Sequence, residues 1–155
     1  MATDEGRQTL RSAEEKELPV TAAADRMTIA DAMHRGVVTC DVTTPLPKVA
    51  QMMVGHRIHC VIVRSNAQQD PLWGVISDRD VAATVAERPA EEVSAGEIAL
   101  TPPVVIDIRD TLRRAARLMT EHGVSHLVVV KQGRPVGVIS TLDLARVLAD
   151  DNGQA

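Results

Sequence analysis

The sequence predicts an α/β (α+β) fold made of two pseudosymmetric repeats, each a small sheet packed against helices. Three observations carry that expectation. A short stretch occurs twice, as GVISDRDVA at residues 74–82 and as GVISTLDLA at 137–145. The residues before each copy also match at a fixed offset. Finally, short β-branched apolar runs alternate with stretches whose apolar residues recur at helical spacing.

Residues 1–26 are polar, charged and alanine-rich without a sustained apolar period, which predicts a flexible arm. Within it, residues 12–17 suit a short helix, and LPV at 18–20 suits an extended segment docked on the folded body. The first repeat is expected over 27–90. It opens with a short helix, TIADAM, whose start is a capping box of Thr28 with Asp31. A strand follows at 37–40 (VVTC), then a turn with Thr44 as N-cap and Pro45 at the first helical position. Leu46, Val49, Ala50, Met53 and Val54 share one face of the next helix, which ends near Gly55 and His56. Strands at 59–63 and 72–76 flank a polar loop, and a second helix runs from Asp78 to just before Pro89.

The second repeat, expected over 91–150, runs the same program. Displaced by 66 positions, Thr28 meets Ser94, Asp31 meets Glu97, Val38 meets Val104 and Asp41 meets Asp107. At the same offset Leu46 meets Leu112, Ala50 meets Ala116, Met53 meets Met119 and His56 meets His122. The loop KQGRP is shorter than its counterpart, and the offset falls to 63 for Gly74 with Gly137, Ser77 with Ser140 and Asp80 with Asp143. Gly133 in that loop suits a compact hairpin. Residues 151–155 are left as a tail. A unit of about 60 residues buries too little surface for comfortable stability alone. The two copies are therefore expected to pack about a pseudo-twofold axis on a shared core, with clefts beside each repeated motif.

Composition excludes several function classes. With 45% hydrophobic and 25% charged residues, the chain has ordinary globular character. Trp73 is its one aromatic among Phe, Trp and Tyr, which argues against stacking on single-stranded nucleic acid. A net charge of −4 argues against a general polyanion binder. No segment reaches the roughly 18 consecutive apolar residues of a membrane span, and the N-terminus lacks the apolar core of a signal peptide. A cytoplasmic location without membrane attachment is expected. Cys40 and Cys60 sit in strand-like runs and read as free and buried; spacing leaves a disulfide between them open.

In each repeated stretch the apolar run reads as a buried strand and the tail as a helix. That puts Ser77 and Ser140 at strand-to-helix junctions, with Asp80 and Asp143 in the first turn. Such a junction offers free backbone N–H groups and the positive end of a helix dipole to a polar or anionic ligand. The spacing is equally that of a plain capping box, and the two roles are compatible. His56 and His122 match as helix C-terminal residues, which the dipole favours. His59 and His126 fall at strand starts where they can line a cleft, and no metal site is expected. Arg113, Arg114 and Arg117 form a basic helical face that reads as solvated surface. Trp73 reads as core or dimer-interface filler, and Met33, Met52, Met53 and Met119 as core packing. No Ser–His–Asp set, Gly-rich phosphate loop or metal box is visible, so no catalytic residue is assigned and no enzyme is expected.

A repeat of this size ending in Gly–Val–Ile–Ser–x–x–Asp and a helix resembles the CBS domain (cystathionine β-synthase motif). Two in tandem resemble a CBS pair, or Bateman module, over residues 28–150. The resemblance implies a non-enzymatic regulatory module that binds an adenosine-containing ligand: AMP, ADP, ATP or S-adenosylmethionine. It implies no obligatory cofactor. Asp80 and Asp143 would accept from the ribose hydroxyls, with Ser77 and Ser140 assisting. The adenine slot would draw on Val38, Thr39 and Cys40 with Ile58, His59 and Cys60, and on Val104, Val105 and Ile106 with Val124, Ser125 and His126. The chemistry suits these residue types, because a cis-diol presents two donors to one carboxylate. Losing both bonds costs roughly 2–4 kcal/mol. Arg79 lies inside the first motif and has Leu142 as its counterpart, so the two clefts are not expected to suit a phosphate tail equally. A homodimer stacked through its helices into a flat disc and an unidentified effector protein complete the picture. The alternative is a ligand-free interaction or assembly module with vestigial clefts.

Overall fold

The computed structural model describes residues 21–65 and 72–152. The expected helix at 12–17, the LPV segment and most of the polar loop after the second strand lie outside the described residues. The first half runs α1 (Thr21–Arg26), α2 (Ile29–Ala32), β1 (His34–Arg35), β2 (Thr39–Asp41), α3 (Leu46–His56), β3 (Cys60–Arg64), β4 (Leu72–Ser77) and α4 (Asp78–Val85). After a 3₁₀ turn at Ala90–Glu92, the second runs α5 (Ala95–Ile98), β5 (Val105–Asp107), α6 (Leu112–His122), β6 (His126–Lys131), β7 (Arg134–Ser140) and α7 (Thr141–Asn152). The fold is mixed α/β in two repeats, as the duplicated pattern predicts.

The two halves are wired alike. β2 pairs parallel with β3, and β3 antiparallel with β4; β5, β6 and β7 repeat that order. Short polar capping fixes the helix starts. Thr28 with Asp31, Ser94 with Glu97, Ser77 with Asp80 and Ser140 with Asp143 each close a ring in which the carboxylate accepts from the backbone N–H and hydroxyl of the residue three before it. The tight β6–β7 turn places Gln132 and Gly133 at φ 51° and 75°, the left-handed pair of a type I′ hairpin.

The opening segment of each repeat is exchanged onto the other. Ile29 is fully buried in the core of α6, β5, β6 and β7, and β1 pairs antiparallel with β7, His34 opposite Val138. In return Val93, Ala95 and Ala99 complete the core of α3, β3 and β4, and Leu100 bridges Val75. The backbone seals both docks: Ile29 donates to the Asp110 carbonyl at 2.9 Å, and Leu46 to that of Val93 at 2.9 Å. Cys60, Ile62, Val75 and Val128 form a third apolar cluster between the sheets. The expected single shared core is thus two cores, each finished by the partner repeat, joined by a smaller one.

The exchange explains the glycine that opens each repeated stretch. A Cβ on Gly137 would overlap the His34 carbonyl oxygen and the Met33 side chain, and one on Gly74 would overlap the Leu100 carbonyl oxygen. Only glycine lets the incoming segment lie so close.

Several expectations need correction. α1 takes up the last six residues of the expected free arm; Ala23 is buried and Asp25 pairs with Arg113 of α6. Long-range docking, invisible to local periodicity, orders it. α7 runs through Asn152, into the expected tail. Strand 37–40 is shifted to Thr39–Asp41, leaving Val37 and Val38 before it, because pairing with β3 begins at Thr39. Pro45 is the N-cap of α3 rather than its first residue, and Thr44 instead accepts from the Asp41 N–H at 3.1 Å to close the turn. Trp73 faces outward at 40% exposure and is not core. Cys40 and Cys60 are free; the parallel register sets Cys40 opposite Val63, well along the strand from Cys60.

Candidate functional site

Each repeated stretch ends a strand and starts a helix at one corner. At the second corner, Oδ2 of Asp143 accepts from the Ser140 backbone N–H at 2.8 Å and its hydroxyl at 2.9 Å. At the first, Oδ2 of Asp80 does the same with Ser77, at 2.7 and 2.8 Å. Capping therefore commits one oxygen of each carboxylate and leaves Oδ1 for other contacts.

The corners part company at Oδ1. Asp143 is only 2% exposed, and its Oδ1 meets His34 Nε2 at 2.8 Å and Arg146 Nη1 at 3.3 Å. Exchange brings His34 there, since β1 lies alongside β7. Asp80 is half-buried, and its Oδ1 takes no partner among the described residues. The position equivalent to His34 is Leu100, which cannot pair with a carboxylate.

A cleft of about 730 Å³ opens beside the second corner, a size typical of small-molecule sites. The segment 34–38, the end of α3 with the start of β3, the start of β6 and the β7–α7 corner all contribute to its wall. His34 and Arg146 also line a smaller cleft of about 380 Å³, together with Asp31, Asp143, Asp150 and Asp151. The His34–Asp143–Arg146 contact thus separates a basic cavity from an acidic one.

The large cleft is cationic. Arg35, Arg57 and Arg146 line it with His34, His56, His59 and His126, against Asp78 as the acidic lining residue. Asp78 is itself held by His59 Nδ1 at 2.8 Å. Burial lowers the His126 pKa, partly opposed by the charges of Asp78, Asp143 and Asp80, so its imidazole favours the neutral form. Burial, with Asp78 nearby, pushes the Cys60 thiol up to about 12, leaving it protonated and unreactive.

Of the residues singled out by sequence, Val38, Ile58, His59, Cys60, Ser125, His126 and Ser140 line this cleft, and Asp143 lies directly behind its wall. Thr39, Cys40, Val104, Val105, Ile106 and Val124 line none of these clefts: Cys40 and Ile106 point into the two cores, and Val105 is exposed. Ser77 and Asp80 face no described cleft, and Arg79 is exposed on α4. His34, Arg35, Arg57 and Arg146 were not singled out. One signal for Arg57 was present: its equivalent is Gly123, and both take the left-handed conformation after their helices, at φ 54° and 62°. A non-glycine residue there costs roughly 1 kcal/mol. Among the described residues, no three His, Cys, Asp or Glu side chains are grouped to hold a metal, and no helix is long and apolar enough to cross a membrane.

The model of the CBS domain matches residues 29–87 and 95–150. Homoserine O-acetyltransferase of Methanocorpusculum labreanum is 32% identical over 126 residues, which are 79% of this chain but only 25% of that enzyme. Hypoxic response protein 1 of Mycobacterium tuberculosis is 28% identical over 125 residues, 79% of this chain and 86% of that protein. The solved structure of a CBS domain protein from Pyrobaculum aerophilum complexed with AMP superimposes with a TM-score of 0.70 at 27% identity, covering 83% of this chain and 100% of that one.

Proposed function

The chain belongs to the CBS-domain family as a tandem pair, and from that premise we propose that it is a non-enzymatic regulatory module for an adenosine-containing ligand. The ligand would be AMP, ADP, ATP or S-adenosylmethionine, held in the 730 Å³ cleft beside Asp143. One observation carries the reading: the motif corner of the second repeat meets a cavity with apolar walls at Val38, Ile58, Cys60 and Val138 and a cationic rim. In this reading the apolar residues sandwich the base, and Oδ1 of Asp143 accepts from the ribose diol once His34 gives way. Ser140 assists at the rim. The AMP complex of the Pyrobaculum aerophilum relative supports that ligand class. Asp80 and Ser77 are a weaker second corner, with Leu100 where the other has His34.

The module would act in the cytoplasm and pass its state to an effector through unequal ligand affinity for two conformations. Self-association is proposed through the outer faces of α3 and α4, which leave Val54 and Val85 exposed at 80% and 54%. Sedimentation of the wild type and of Val54→Glu tests it; equal monomeric values for both would rule it out.

A second reading, a ligand-free assembly module, draws support from the His34–Asp143–Arg146 contact, which satisfies the buried carboxylate without a ligand. Thermal shift separates the two. A ligand at a hundred times its Kd adds about 2.7 kcal/mol. Millimolar AMP, ATP and S-adenosylmethionine should therefore include one compound that raises the melting temperature by several degrees. No shift with any of the three would favour assembly.

A further inference from the structure

We infer that His34 is a built-in competitor for Asp143: its imidazole occupies the carboxylate oxygen that a ribose diol would take, and the second corner binds its ligand only by turning that ring away. The inference rests on the adenosine reading and adds to it an autoinhibitory contact confined to one of the two corners.

Convergent donors are the first ground. Asp143 is 2% exposed, and its Oδ2 is committed to the Ser140 N–H and hydroxyl. Oδ1 meets His34 Nε2 of β1 at 2.8 Å and Arg146 Nη1 of α7 at 3.3 Å. Two N–H groups aimed at one carboxylate oxygen satisfy a buried charge as two hydroxyls would. Arg146 Nη1 also lies 3.5 Å from His34 Nε2. A guanidinium only donates, and the shorter contact claims the Nε2 proton for Asp143, so the two nitrogens stand side by side in the place of a diol.

The partners differ in freedom. Ser140 fixes Asp143 in the wall, whereas the His34 side chain is 64% exposed on a strand of two residues. Turning it out uncovers little that was hidden. His34 also lines the smaller cleft, with Asp31, Asp150 and Asp151, so a displaced imidazole keeps acidic surroundings. One side chain with carboxylates on either side is a two-position device that a ligand for Asp143 biases.

The duplicate supplies an independent ground. At the first corner the positions equivalent to His34 and Arg146 are Leu100 and Ala83, yet strand, cap and helix form alike there. The corner thus folds without either donor. Both occur at the corner that meets the cleft of about 730 Å³.

Calorimetric titration of the full chain with adenosine, and with dideoxyadenosine, which lacks the cis-diol, tests the inference. His34→Leu, which copies the first corner, should tighten adenosine roughly tenfold, as expected when one charge-assisted bond no longer competes, and leave dideoxyadenosine within about twofold. The same variant without ligand should melt a few degrees lower, because Asp143 then keeps Arg146 alone. A purely structural His34 would not give these opposite signs. His34→Gln retains a donor and should bind adenosine with an affinity between the other two. Adenosine bound no tighter by His34→Leu than by the wild type would overturn the competitor. An equal gain for dideoxyadenosine would do the same, since it would mean a widened cleft. Binding by the variants without binding by the wild type would uphold it. Failure of all three proteins to bind adenosine would sink the adenosine reading and the competitor with it, whereas equal binding by all three sinks the competitor alone.

Discussion

Oδ2 of Asp143 closes the cap of α7, so only Oδ1 is left to meet a ligand, and His34 and Arg146 already hold it. Asp143→Ala would remove cap and acceptor together and cost about 1 kcal/mol or more of stability from the cap alone. Asp143→Asn keeps an oxygen for the cap and removes the charge. Its expected outcome is a melting temperature within a few degrees of wild type and adenosine affinity lowered about 10- to 100-fold; unchanged titrations would remove the ribose assignment. His126 gives a pH prediction whose sign is fixed by its lowered pKa. The unfolded chain takes up a proton near pH 6.5 before the folded one does, so stability drops as pH falls through that value and below. Thermal melts at about pH 7.5 and 5.5 should show a loss in the wild type and a smaller one in His126→Gln. The capping boxes of Ser77 with Asp80 and Ser140 with Asp143 were legible because both copies print the same residues at the same spacing, while which of them meets a cleft was not. His34 was not legible, since no local rule says that a residue so distant in sequence will share a wall with Ser140.

Local chemistry governs the helices and long-range packing governs the strand ends. Thr111 accepts from the Arg114 N–H at 3.2 Å to cap α6, and Thr111→Ala should cost about 1 kcal/mol by denaturant melts. The glycine of each repeated stretch acts differently, because it makes room for a segment from the other repeat. Gly137→Ala would drive a methyl into the His34 carbonyl and Met33. The expected cost is about 1–3 kcal/mol, or roughly 2–4 °C in melting temperature per kcal/mol. An unshifted melt would mean that β1 has somewhere else to go. β1 itself, two residues long, has no readable pattern; it exists because His34 and Arg35 find a free edge on β7. The one-residue shift of α3 past Pro45 is likewise set by the dock with Ser94 and Val93.

The exchanged openings make the two repeats one cooperative object. Residues 27–90 alone would lack Val93, Ala95 and Ala99 from their core and would leave Ile29 without a home. That fragment should give no cooperative thermal transition, while the full chain unfolds in one; an independent transition for the fragment would show that the exchange is not needed for folding. Cleft and exchange are linked, because the segment that completes the second core continues directly into His34 and Arg35 at the cavity wall. The sequence by itself determined the duplication, the order of strands and helices in each copy, the caps and the two motif corners. These depend on residues a few positions apart, whose spacing is printed in the chain. Only the tertiary structure decided that each copy completes its neighbour, that the second corner meets the large cavity, and that its rim is basic. Those outcomes depend on which distant surfaces pair, as the segments that lie against Gly74 and Gly137 do, and no spacing along the chain records such a pairing.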